Sequence, residues 1–136
     1  QGEPRSMQQD PRYVNVVAEV QQFLEDRIHV CESEGIPRQH LLIDPGFGFG
    51  KTLNHNLDLL RHLNAFASLG LPLLVGLSRK SMIGTLLGNV PVTDRLHGSV
   101  AAAVVAALHG ANIIRAHDVQ PTVAALKLVS AVHRHG

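Results

Sequence analysis

The sequence predicts an α/β fold on a parallel sheet, with a small-molecule site along one rim. Two observations predict it. Short apolar runs at Leu41–Ile43, Pro72–Val75 and Ala111–Ile114 alternate with segments of helical period. Each run then breaks into polar residues at the same relative position: Asp44, then Ser78-Arg79-Lys80-Ser81, then Arg115-Ala116-His117-Asp118. Strands joined by right-handed helical crossovers are buried on both faces, which explains why these runs lack polar alternation. Ligands in such folds sit at the carboxyl ends of strands, where Asp44, Lys80 and Arg115 fall.

Residues 1–13 read as a polar, proline-bearing loop. From Val14 to Glu34, apolar Val16, Val17, Val20, Phe23, Leu24, Ile28 and Val30 follow near-helical spacing, and Gly35 supplies a stop. After the first strand, Asn54 is a candidate cap for a helix carrying Leu57, Leu60, Leu63 and Phe66 and ending near Gly70. The second strand leads into a short helix, Ser81–Leu87. Asp94 is a candidate cap for a helix from Arg95 to His109, which Gly110 closes. The last helix runs from about Gln120 to His133, with Pro121 tolerated in its first turn. Three strands cannot close a barrel, and an eight-stranded one usually needs ~250 residues. The alternatives are a small open sheet or part of a barrel.

Composition narrows the function. The 136 residues suit one domain, and a net charge of +1 argues against a nucleic-acid footprint or a basic membrane face. No apolar stretch approaches the ~20 residues that span a bilayer. Cys31 stands alone, which removes an internal disulfide and fits a reducing compartment. The chain opens on Gln1 in a polar stretch that reads like the middle of a protein.

The motifs point to a ligand. Gly46-Phe47-Gly48-Phe49-Gly50-Lys51-Thr52 has three residues between its first glycine and the Gly-Lys pair, where a phosphate loop needs four. The dinucleotide pattern G-x-G-x-x-G fails too, because Lys51 stands where Gly46-Phe47-Gly48 would need its third glycine. The plain alternative is a glycine-rich turn. Against it stands Asp44, since an acid ending an apolar strand needs partners. Its carboxylate suits adjacent N–H donors, such as the guanidine-like edge of a heterocycle. Lys80 can donate to a ring nitrogen or carbonyl; its alternative is a solvated basic turn. Arg115 and His117 share one side of an extended strand end and suit a phosphate or diphosphate clamp. The alternative there is an Arg115–Asp118 pair. His29, His55, His62, His109, His133 and His135 look like helix-surface residues without metal-ligand spacing. Asp44 and His117 with a serine could suggest a hydrolase, but no G-x-S-x-G is present. Finally, the helix over 96–108 is apolar all round, which a subunit interface would explain.

Asp44-Pro45-Gly46-Phe47-Gly48-Phe49-Gly50-Lys51, Ser78-Arg79-Lys80-Ser81 and Arg115-Ala116-His117-Asp118 resemble, in order and spacing, the C-terminal motifs of the dihydropteroate synthase family. Gln1 to Gln8 also resembles the segment after that family's fifth strand. The resemblance covers essentially the whole chain. It implies part of a (β/α)₈ TIM barrel: strands six to eight, preceded by helix five, with residues 1–136 the C-terminal part of one domain whose N-terminal half is absent. It implies condensation of 6-hydroxymethyl-7,8-dihydropterin diphosphate with 4-aminobenzoate, releasing pyrophosphate in folate synthesis. Asp44 would grip the pterin's amino edge. Lys80 would contact its N5 and carbonyl side, with Gly76 allowing close approach. Phe49, Lys80 and Ser81 would border the aminobenzoate pocket, where sulfonamides also bind. Arg115 would lie along the pterin and, with His117, hold the diphosphate; Arg115, His117 and Lys80 would be the catalytic cations. Mg²⁺ would be the cofactor, its ligand lying in the absent half with no metal residue in this chain. A cytoplasmic homodimer through helix 96–108 is expected, and this chain alone is expected to be inactive. Two other readings compete. A methyltransferase pterin domain shares the barrel but would lack Ser78–Ser81 and the Arg115/His117 clamp. The third is a non-catalytic module self-associating through helix 96–108.

Overall fold

A computed structural model of the chain describes residues 15–47 and 51–134; the expected loop over residues 1–13, and Phe49, lie outside them. Helix α1 (Val16–Ser33) starts where Asn15 accepts from the Ala18 amide at 3.1 Å and Glu19 returns a carboxylate to the Asn15 amide at 3.2 Å. It buries Val16, Val20, Leu24 and Ile28, a stripe spaced by four. Phe23 and Val30 fall off that stripe and are exposed.

The three apolar runs are neighbours in sequence order, all parallel. Ile43 bridges Leu73, and β1 (Leu74–Val75) pairs with β2 (Ile113–Ile114) in the register Leu74↔Ile113, Val75↔Ile114. The strands are shorter than expected. Leu41–Ile43 reduces to one bridge, Ile43 N–H donating to the Pro72 carbonyl at 2.9 Å and its carbonyl accepting from the Leu74 amide at 2.8 Å. No described strand lies on its outer side, so nothing there extends the ladder. Residues 111 and 112 are likewise drawn out of the third strand. The Ala111 amide still bonds the helical Ala106 carbonyl, and the Asn112 side chain accepts from the Leu73 amide at 2.9 Å.

Helix α2 (Leu53–Arg61) begins two residues earlier than expected. Thr52, not Asn54, caps it: its hydroxyl accepts from His55 N at 3.1 Å while His55 Nδ1 accepts from Thr52 N at 3.2 Å. The expected single helix to Gly70 is broken at His62, whose ring bonds the Asp58 carbonyl, and a 3₁₀ turn over Leu63–Leu69 completes the segment. Helix α3 is Ser81–Leu86 and α4 is Leu96–Leu108. Asp94 does not cap α4. It closes a 3₁₀ turn, Val92–Asp94, and Arg95 holds the cap position with no side-chain bond to the helix. That guanidinium instead donates to the carbonyls of Val90 at 3.1 Å and Arg79 at 2.9 Å. Helix α5 is Val119–Arg134.

The core lies between the parallel segments, α1 and α2. Phe47, Leu59, Leu63, Phe66 and Val75 are its largest fully buried side chains. Burying each such side chain is worth ~1.5–3 kcal/mol. The apolar α4 packs between α3 and α5, burying Ser99, Ala103 and Ala106. A Cβ on Gly98 would meet Ile83 Cγ2 at 2.6 Å, so the α3–α4 contact needs that glycine. Helix α5 leaves Val119, Leu128 and Val132 exposed.

Candidate functional site

The parallel segments lead to one rim: Asp44 and Arg115 directly follow Ile43 and Ile114, while Gly76 and Leu77 separate Val75 from Ser78. Asp44 follows Ile43, and one of its carboxylate oxygens accepts the Gly46 amide at 2.9 Å. Two ammonium groups grip the loop that follows: Lys51 Nζ donates to the Gly46 carbonyl at 2.8 Å and Lys80 Nζ to the Phe47 carbonyl at 3.0 Å. Phe47 is itself buried in the core, so the loop's position is set by packing.

Lys80 ties the rim together electrostatically. Burial pushes its pKa below the usual lysine value; the Asp44 carboxylate pulls it back up and the Arg115 guanidinium pushes it further down. Lys51 is lowered too, first by burial, then by the Lys80 charge, with Asp44 opposing. Asp44, Lys51, Lys80 and Arg115 thus share one neighbourhood, in which three cations outnumber the carboxylates, Asp44 and, lining the cavity beside Lys51, Glu19. Such a site is short of negative charge and favours an anion.

Arg115 lies across Gly76. A Cβ at Gly76 would meet its Nη2 at 2.8 Å and its Nε at 3.0 Å, so the close approach that Gly76 permits within this chain is that of the guanidinium. The expected alternative of an Arg115–Asp118 pair does not form. Asp118 pairs with Arg79, Nη2 to Oδ1 at 2.9 Å, and among the described residues Arg115 makes no ion pair. His117 bonds to Ser78, backbone amide to Oγ at 3.2 Å and ring Nδ1 to Oγ at 2.9 Å. Beyond the strand ends the pairings keep the sheet's spacing. Leu73 with Asn112, Ser78 with His117 and Arg79 with Asp118 are each 39 residues apart, as are the β1–β2 partners.

The structure therefore puts Asp44, Lys80 and Arg115 within electrostatic reach of one another, lays Arg115 over Gly76, and sets His117 two residues beyond Arg115 on Ser78. Ser81 is exposed at the start of α3; Phe49 falls outside the described residues. Sequence reasoning passed over Lys51 as a site residue, although it ends the glycine run, and passed over Ser78 and Ser99. Ser99 accepts the Arg79 amide at 2.8 Å, which supports the left-handed Arg79 (φ 60°). No local pattern announces these contacts, because the partners are distant in the chain. His55, read as a surface residue, turns out to hold a helix start.

A cavity of about 420 Å³ lies beside the loop, lined by Glu19, Val20, Phe23, Asp44, Pro45, Gly46 and Lys51. A larger hollow of about 520 Å³, between the start of α1 and His55–Ala65, includes none of the rim residues. Among the described residues no group of three or more His, Cys, Asp or Glu could hold a metal ion, and no helix is long and apolar enough to cross a membrane.

Residues 1–117 match the family model described as pterin binding enzyme. The chain belongs to that family. Among relatives of this chain, the Escherichia coli K12 protein named dihydropteroate synthase is 55% identical over 131 residues, 96% of this chain and 46% of the relative. The solved Xanthomonas albilineans dihydropteroate synthase in complex with 7,8-dihydropteroate superposes with TM-score 0.87 at 52% identity, covering 90% of this chain and 47% of that one. A structure of the same bacterium's enzyme with 4-aminobenzoic acid matches with TM-score 0.87, 52% identity and coverage of 90% and 46%. The chain spans about half the length of the curated relatives it matches.

Proposed function

We propose that the protein carrying this chain is a dihydropteroate synthase, a cytoplasmic transferase of folate biosynthesis. It joins 4-aminobenzoate to 6-hydroxymethyl-7,8-dihydropterin diphosphate. The amine nitrogen bonds to the methylene carbon, the bond from that carbon to the diphosphate oxygen breaks, and the amine gives up a proton. The observation that carries the reading is the meeting of Asp44, Lys80 and Arg115 at the ends of three adjacent parallel segments.

Each residue has work suited to its chemistry. Asp44 accepts from the amino and ring N–H groups of the pterin. Lys80, its charge made less secure by burial, donates to the ring's N5 and carbonyl side. Phe49, Lys80 and Ser81 border the aminobenzoate pocket, which sulfonamides would share. Arg115, held over Gly76 without a carboxylate partner among the described residues, and His117 bind the diphosphate. As the carbon–oxygen bond breaks, negative charge grows on the departing group, and fixed cationic donors lower that barrier. No protein nucleophile is needed.

Mg²⁺, implied by the family resemblance, needs oxygen ligands in near-octahedral array. The Arg115–His117 clamp here offers nitrogen donors, so no step is assigned to the ion. The sequential parallel segments support a place for the chain as strands six to eight of a (β/α)₈ barrel, preceded by helix five. Association as a homodimer through α4 is supported by its apolar surface and by Leu108, which is exposed.

Calorimetry of the whole protein with a pterin diphosphate analogue tests the reading. Saturable binding is expected, weakened roughly 10- to 150-fold by Asp44→Asn, the loss of ~1.5–3 kcal/mol for hydrogen bonds to a charged group. Equal binding by the two proteins, or tight self-association with no binding at all, would overturn it.

A further inference from the structure

We propose that Ser78 is a positioning residue for His117: its hydroxyl donates to Nδ1 and leaves the neutral imidazole with its proton on Nε2, an outward-facing donor for an anion. The proposal deepens the diphosphate reading above and rests on it only for the identity of that anion.

Proton accounting carries the assignment. Ser78 Oγ lies 3.2 Å from the His117 backbone nitrogen and 2.9 Å from its Nδ1. The backbone N–H can only donate, so Oγ is its acceptor. The hydroxyl has one proton of its own, and among the described residues Nδ1 is the acceptor within its reach. With Nδ1 receiving that proton, the ring carries its hydrogen on Nε2. The opposite tautomer would place two donors on Oγ and leave the hydroxyl proton without a protein partner.

The geometry is braced on both sides. Immediately after Ser78, the Arg79 amide is held by Ser99 Oγ at 2.8 Å. Immediately after His117, Asp118 takes the Arg79 guanidinium at 2.9 Å. Ser78 thus meets His117 inside a ladder of pairs spaced by 39 residues, and a single oxygen restrains both the backbone and the ring of His117. A ring held this way presents an N–H outward whether it is neutral or charged. Donation to the departing group then does not wait on protonation of the imidazole.

Nitrogen-15 NMR of the whole protein with labelled histidine tests this at about pH 9, well above the ordinary imidazole value of ~6.5. The His117 signals are assigned by their disappearance in His117→Gln. Wild type is expected to show the unprotonated nitrogen at Nδ1 and the protonated one at Nε2. Ser78→Ala is expected to mix the tautomers and to weaken pyrophosphate binding roughly fivefold, the worth of one neutral hydrogen bond. Ser78→Thr, which keeps the hydroxyl, is expected to restore both. A wild-type proton on Nδ1 overturns the proposal without any variant, and so does an unchanged His117 spectrum in Ser78→Ala. The expected tautomers with no pyrophosphate binding would support the Ser78 assignment and sink the diphosphate reading instead.

Discussion

Replacing Gly76 by alanine separates site geometry from fold stability. Gly76 is buried, and the new methyl carbon would sit 2.8 Å from Arg115 Nη2, 3.0 Å from Nε and 3.1 Å from Cζ. Comfortable separation for such atoms is ~3.5–4.0 Å, so the guanidinium must retreat by roughly 0.7–1.2 Å. It can do so, because Arg115 is an exposed side chain with no ion partner among the described residues. Moving off its rotamer costs ~0.5–1.5 kcal/mol, while exchanging glycine for alanine returns ~0.4–1 kcal/mol by restricting the unfolded chain. The two nearly cancel, and the melting temperature should move by only a few degrees. Anion binding should not be spared. A guanidinium displaced by that distance loses much of a charge-assisted bond worth ~1.5–3 kcal/mol, which is roughly 10- to 150-fold in affinity. Calorimetry with pyrophosphate, paired with thermal unfolding of the same samples, reads both quantities. Unchanged affinity would refute the role given to Arg115. A large fall in melting temperature with proportionate loss of binding would refute the separation.

Three further outcomes are expected. The folded protein holds protons on Lys51 and Lys80 less readily than the unfolded chain does, since both are lowered from 10.5; the unfolded state binds more protons, and stability should rise with pH toward that value. Urea titrations across pH 8–10.5 should show the rise, with a shallower slope in Lys80→Met. Thr52→Ala should cost ~1 kcal/mol by removing the capping box of α2, read as a lower urea midpoint, and an unchanged midpoint would show that the cap contributes nothing. The 136-residue chain by itself should form no pteroate, because it spans about half the length of its relatives and carries only part of the ligand shell; measurable product would contradict this.

Most of the α/β order was legible because it depends on apolar spacing alone. The Val16/Val20/Leu24/Ile28 stripe and the stop at Gly70 follow from side-chain period and backbone freedom, which are local properties. Strand lengths were not legible. Leu41–Ile43 is apolar enough for a strand, yet a ladder needs partners on the rest of its length, and sequence does not reveal which neighbours are present. The helix start was misplaced because Thr52 and Asn54 are both competent caps, and a histidine three residues on is an uncommon second half of a capping box. Asp94 misled for a related reason: the Pro91 turn used it before the helix could. At the site, residue types pointed to Asp44, Lys80 and Arg115, whereas the choice of Asp118's partner depended on a turn 39 residues away.

That constant separation also constrains how the chain can change length. An inserted or deleted residue between Arg79 and Asn112 would uncouple Arg79 from Asp118, His117 from Ser78 and Arg115 from Gly76 in one stroke, unless it were absorbed locally. The mostly exposed stretch over residues 85–94, with Asn89 already left-handed at φ 63°, is the place able to loop out without disturbing either strand. Natural length variation in this connection should therefore collect there, leaving the distance from rim to rim untouched.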